Sequence, residues 1–253
     1  GANNHAIVMP DADIDFAAQH ISAGAFGAAG QRCMALPVIV AVGGIAEKLV
    51  PAIKARAEKI VVGPGTDPAC EMGPVITRSS QQRITKWIDE AEANGASVVL
   101  DGRGYKPEGE EYADGFWLGP TILDNVDRKL DIYCEEVFGP VLVVVHADTY
   151  EEAIEIVNSS PYGNGSAIFT SDGDTARHFV VEVEAGMVGV NVPIPVPVAY
   201  YSFGGWKESL LGDTHIHGPE GVRFYTKAKV VTTRWPKRGE KVGYVGMNFP
   251  TNG

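Results

Sequence analysis

Phe26-Gly27-Ala28-Ala29-Gly30-Gln31-Arg32-Cys33-Met34-Ala35-Leu36-Pro37-Val38-Ile39-Val40-Ala41-Val42 carries the chain from a helical pattern into a strand. Upstream, Pro10-Asp11-Ala12-Asp13 gives an acidic helix start. Ile14, Ala17, Ala18 and Ile21 then keep a helical period into the small residues that end at Cys33. Downstream, residues 37–42 form an unbroken apolar run of the kind found in strands buried on both faces. A thiol at this helix-to-strand junction, beside Arg32 and among small residues, is placed to attack a carbonyl. The same residues also fit a buried free cysteine serving as a small hydrophobe.

Working outward, Gly43-Gly44 ends the strand and a helix pattern runs from about 45 to 60. A loop at Gly63–Asp67 leads to a charged helix over 79–94, a short apolar run at 97–100 and a polar, turn-rich excursion over 102–115. Strands are predicted near 117–124, 140–146, 166–169 and 187–192, with helices over 151–158 and 174–183. Alternating strands and helices, several strands being continuously apolar, argue for an α/β domain whose sheet is covered on both faces. After Gly218 the alternation stops, leaving a late β-branched strand at Lys229–Arg234 and a loose tail from Pro236.

The 253 residues, 45% hydrophobic, suffice for a full core. A net charge of −11 disfavours nucleic acid and anionic membranes as general partners. No apolar stretch reaches the roughly 18 residues of a membrane span. Cys33, Cys70 and Cys134 are odd in number and far apart, matching neither a disulfide framework nor zinc spacing. A reducing compartment fits them: the cytoplasm or, in a eukaryote, the mitochondrial matrix. The chain begins at Gly1 without an initiator Met or a signal segment, and so reads as processed or as a piece of something longer.

Three further runs could carry chemistry. Glu135-Glu136-Val137-Phe138-Gly139-Pro140 could bind hydroxyls or act as acid and base, or be an acidic loop closed by a turn. Asn191-Val192-Pro193-Ile194-Pro195-Val196-Pro197 is a stiff extended loop that could wall a pocket or simply connect. Ser202-Phe203-Gly204-Gly205-Trp206-Lys207 allows close backbone approach or a plain turn. There is no G-x-G-x-x-G fingerprint and no Walker-type loop, and Gly24, Gly27 and Gly30 read as close helix packing. None of the six histidines neighbours Cys33 in sequence, so a Cys-His hydrolase has no local signature.

Together these runs resemble the aldehyde dehydrogenase superfamily. F-x-x-x-G-Q-x-C is met by Phe26, Gly30, Gln31 and Cys33, E-E-x-F-G-P by Glu135, Glu136, Phe138, Gly139 and Pro140, and F-G-G-x-K by Phe203, Gly204, Gly205 and Lys207. Gly1-Ala2-Asn3-Asn4-His5, Gly30–Ala35, Tyr162-Gly163-Asn164-Gly165 and Gly189–Pro197 are similar to the CoA-acylating branch that acts on methylmalonate and malonate semialdehyde. Asn3 departs from it, a Lys being usual there. The resemblance runs from residue 1 to about 235.

The resemblance implies a three-layer α/β catalytic domain over 1–217, with a mostly parallel sheet, and a C-terminal strand and tail over 218–253 that pairs between subunits of a homo-oligomer, dimer or tetramer. Cys33 would be the nucleophile, forming a thioacyl intermediate from which CoA takes the acyl group. Arg32 would bind the substrate carboxylate and Phe203 line the substrate end. Glu136 would take the nicotinamide-side ribose hydroxyls of NAD, with Phe138 packing nearby. Superfamily members are about twice as long, so a separate NAD-binding domain would precede Gly1. The alternatives are an aldehyde dehydrogenase releasing free acid, and an isolated domain without activity of its own.

Overall fold

A computed structural model describes residues 1–239 and 241. The elements are β1 (His5–Val8), α1 (Ile14–Phe26), β2 (Val38–Val42), α2 (Ala46–Ala57), α3 (Arg78–Ala93), β3 (Ser97–Leu100), β4 (Thr121–Asp124), α4 (Asp131–Cys134), β5 (Val141–Ala147), α5 (Tyr150–Asn158), β6 (Tyr162–Gly163), β7 (Gly165–Phe169), α6 (Gly173–Glu182), β8 (Met187–Val190), β9 (Trp206–Lys207) and α7 (Pro219–Tyr225). Helix starts obey local chemistry: Asp13, Thr77, Thr149 and Asp172 each accept a backbone N–H from the first turn of α1, α3, α5 and α6.

Seven strands form one sheet in the order β3-β4-β5-β2-β1-β7-β8. All neighbours run parallel except β3 against β4. Alternate residues face opposite cores: Val38, Val40 and Val42 point to the layer of α3, α5 and α6, while Ile39 and Ala41 point to that of α1 and α2. This is the three-layer, mostly parallel architecture, and it explains why the strands read as unbroken apolar runs. Among the described residues no helix is long and apolar enough to cross a membrane.

Four sequence expectations change. β1 sits in mid-sheet between β2 and β7, yet its four residues are too few for a periodic signal. Tyr162–Gly163 and Trp206–Lys207 make a small separate antiparallel ladder, too short to show in the sequence. α7 continues helical structure past Gly218, with Pro219 in its first turn. Lys229–Arg234 forms no strand: Val230 is 93% exposed, and a β-branched run becomes a strand only against a ladder partner. Of the tail expected from Pro236, residues 240 and 242–253 lie outside the described residues.

Candidate active site

The parallel register brings distant residues to one edge. His5 pairs with Val38 and Ser166, and Val38 with Val143. Asn4, Cys33, Glu136 with Phe138, and Asn164 lie just ahead of β1, β2, β5 and β7, so they gather at the amino ends of the strands. Open α/β sheets more often bind ligands at the carboxyl ends.

Helix α1 stops at Phe26, and Gly27–Gly30 make a tight turn in which Ala28, Ala29 and Gly30 hold φ near +53, +53 and +66°. A second turn, closed by the Ala35 N–H donating to the Arg32 carbonyl at 3.0 Å, presents Cys33. The thiol is free and the residue exposed, which overturns the buried-cysteine reading. The Cys33 carbonyl accepts two side-chain amides, Asn4 Nδ2 at 2.9 Å and Asn164 Nδ2 at 3.1 Å. Gln31 ties the same loop to a neighbouring segment, accepting the Ile76 N–H at 2.8 Å and donating to the Pro74 carbonyl at 3.2 Å.

Cys33, Arg32, Glu136 and Phe138 line one small hollow together with Asn4 and Gly30. The cysteine loop and the Glu-Glu loop touch backbone to backbone: a Cβ on Gly30 would lie 2.0 Å from the Gly139 carbonyl oxygen. Phe138 is 38% exposed and holds φ at +51°. Beside it, Arg83 donates to the Val137 carbonyl at 2.8 Å and lies over the Trp87 ring. Burial lowers the Arg83 pKa and the Glu136 charge opposes that effect.

Arg32 lines the hollow but folds its guanidinium back onto α1, donating to the Ala23 and Gly24 carbonyls at 2.9 and 3.3 Å. Its Nε is buried without a partner, and burial lowers its pKa. Gly27 leaves room for this: a Cβ there would stand 2.6 Å from Arg32 Nη2. Of the three glycines read as helix packing, only Gly24 packs that way, against Leu36 and Pro193 of the proline loop.

Phe203 does not reach the hollow; it stacks on His217 at 5.4 Å between ring centroids. Its glycines instead support the site, since a Cβ on Gly205 would meet Asn164 Oδ1 at 3.0 Å. Lys207 pairs with Glu184 at 2.7 Å, away from the thiol. No histidine lines the hollow. His5 bonds the Tyr133 hydroxyl and Asn3 carbonyl, and burial pushes its pKa down to about 4, leaving it neutral. Sequence reasoning gave Asn4 and Asn164 no role; only their place in the Gly1–His5 and Tyr162–Gly165 runs marked them.

The aldehyde dehydrogenase family model matches residues 1–231. The chain is 52% identical over 243 residues to malonate-semialdehyde dehydrogenase of Pseudomonas aeruginosa, covering 94% of this chain and 48% of that one. It is 46% identical to the acylating, mitochondrial methylmalonate-semialdehyde/malonate-semialdehyde dehydrogenase of Bos taurus, covering 100% and 47%. The chain thus spans about half the length of the curated relatives it matches. Among solved structures, methylmalonate-semialdehyde dehydrogenase of Oceanimonas doudoroffii superposes with a TM-score of 0.90 at 51% identity, covering 94% and 49%. A Mycobacterium tuberculosis aldehyde dehydrogenase complexed with NAD+ gives 0.82 at 32% identity, covering 90% and 45%.

Proposed function

The chain belongs to the aldehyde dehydrogenase family, and on that premise we propose that it forms the catalytic half of an NAD-dependent, CoA-acylating oxidoreductase of methylmalonate and malonate semialdehydes. The observation that carries this reading is the exposed Cys33 thiol sharing one hollow with Arg32, Glu136 and Phe138.

In this reading Cys33 Sγ attacks the aldehyde carbon, and the carbonyl oxygen takes up the charge. The Cys33 N–H is the donor this chain offers to that oxyanion. NAD, when bound, supplies the acceptor for the aldehyde hydrogen as hydride. Residues present here suit its nicotinamide end: Glu136 can accept from ribose hydroxyls, and the Phe138 ring is half-exposed beside the thiol. The further parts of a dinucleotide have no counterpart among the residues that line this hollow. Cys33 then holds the acyl group as a thioester. The β-carboxylate leaves as carbon dioxide, the electron pair of the broken C–C bond passes into the thioester as an enolate, and a proton from water closes the α-carbon. The CoA thiolate then attacks the thioester carbonyl and expels Cys33 as thiolate, regenerating it.

Arg32 is the residue assigned to the substrate carboxylate. For that it must release the Ala23 and Gly24 carbonyls and turn its guanidinium into the hollow. The proline loop and Phe203, which stacks on His217 outside the hollow, are assigned to the outer substrate end. Residues 1–217 serve as the catalytic domain, and the exposed run Lys229–Arg234 within the 218–253 segment becomes a strand only against a partner subunit of a homo-oligomer in a reducing compartment.

The test joins this chain to the N-terminal half of the Pseudomonas aeruginosa relative and supplies methylmalonate semialdehyde, NAD and CoA. CoA-dependent NADH formation that disappears in Cys33→Ala is the expected result. Equal turnover by Cys33→Ala would refute the nucleophile. NADH formation indifferent to CoA would refute the branch in favour of an enzyme releasing free acid.

A further inference from the structure

The run Tyr162-Gly163-Asn164-Gly165 is separated from the cysteine motif by some 130 positions, yet it closes around the same turn. Asn164 is 6% exposed, and its amide donates to the Cys33 carbonyl at 3.1 Å while lying 3.1 Å from Met34 Sδ. Gly165 makes space for Met34, since a Cβ there would stand 2.5 Å from its terminal methyl. The Gly165 N–H donates to Asn4 Oδ1 at 3.0 Å, and Asn4 Nδ2 completes the ring by donating to the Cys33 and Ala35 carbonyls. Gly163 cannot carry a side chain either, because its Cβ would lie 2.6 Å from the Glu184 carbonyl oxygen. All three residues after Tyr162 are thus dictated by closeness to neighbouring backbone or to the cysteine turn.

We infer that Asn164, with Asn4, is a positioning residue for the Cys33 nucleophile: the two amides hold the Cys33 carbonyl and thereby fix the side chain toward the hollow. Two effects follow from the geometry. Both lone-pair regions of the carbonyl are occupied, so the Cys33–Met34 peptide cannot swing and carry the sulfur out of line. The donors also offset the negative end of the carbonyl dipole, which covalent geometry keeps close to the reacting sulfur. Losing one donor therefore slows reaction at sulfur. The inference rests on Cys33 being the nucleophile and holds for any substrate.

The experiment uses the full chain and reads alkylation by iodoacetamide at Cys33, Cys70 and Cys134 separately by peptide mass mapping at neutral pH. Asn164→Leu keeps the volume and removes the donor. Asn164→Asp keeps the shape and aims oxygen instead of N–H at the carbonyl, and it stands in if the leucine variant does not fold. Each is expected to slow Cys33 by roughly three- to tenfold, the range one neutral hydrogen bond corresponds to, with Cys70 unchanged. Asn158→Leu is the control. It loses two comparable bonds, to the Glu182 carbonyl and from the Glu184 N–H, without touching Cys33, and should lower Tm while leaving Cys33 at the parental rate. Parental Cys33 rates in the Asn164 variants overturn the inference, as does equal slowing in Asn158→Leu. Because neither aldehyde nor NAD is present, a failure here is distinct from failure of the substrate assignment.

Discussion

Gly30→Ala tests whether the cysteine loop is built by backbone contact with the Glu-Glu loop. Two costs arise. Gly30 holds φ at +66°, where an L-residue loses about 1–2 kcal/mol. Its new Cβ would also stand 2.0 Å from the Gly139 oxygen and 2.6 Å from the Gly139 carbon. An ordinary carbon–oxygen contact is about 3.3 Å or more, so the loops must part by roughly 1 Å. A methyl group has no rotamer to escape into, and overpacking of this kind costs about 1–3 kcal/mol more. The sum is about 2–5 kcal/mol. Gly44→Ala is the matched control: φ is +80° but nothing lies within 4 Å of its Cβ, so only the backbone cost applies. Both changes remove similar freedom from the unfolded chain, which cancels in the comparison. Urea denaturation followed by circular dichroism gives the two losses. Equal losses in Gly30→Ala and Gly44→Ala would show that the Gly30–Gly139 contact does not constrain the site.

Three further outcomes are expected. Alkylation should reach Cys33 first, because Cys70 and Cys134 are half-buried and burial pushes both thiols up, assisted by Asp67 and Glu135 respectively; mass mapping that finds either one modified ahead of Cys33 contradicts the site. His5 titrates near 6.5 when unfolded and near 4 when folded, so its contribution is complete above about pH 6.5 and lost as the pH falls toward 4, some 3 kcal/mol in all, a slope that His5→Asn should flatten in denaturation curves between pH 7 and 4.5. Arg103 meets Asp89, Asp101 and Glu92 at 2.6–2.7 Å; Arg103→Met should cost about 1–2 kcal/mol, discounted for the half-exposed carboxylates, and the loss should shrink in 1 M salt if the network is electrostatic.

Local composition decided much of this protein. Asp13, Thr77, Thr149 and Asp172 start helices because a short oxygen-bearing side chain satisfies a free N–H of the first turn, a rule that acts within three residues. The apolar runs at 38–42 and 141–145 announce strands buried on both sides, since any polar side chain there would lose water without gaining a partner. Cys33 was recognisable from its junction and its motif. β1 was not, because four residues give no period, and it is a strand only because β2 and β7 flank it with ladder partners. Phe203 illustrates the converse: its motif is plain in the sequence, but the fold stacks it on His217 and sends only the influence of Gly205 toward the thiol. The direction of the site was likewise unreadable. Only parallel register places Asn4, Cys33, Glu136 and Asn164 at one edge, and no local rule says which end of a strand will carry a function. The sequence by itself determined which runs are candidates for chemistry; the tertiary structure alone decided which of their residues touch, because hydrogen bonds between residues 29 and 131 positions apart depend on register and packing.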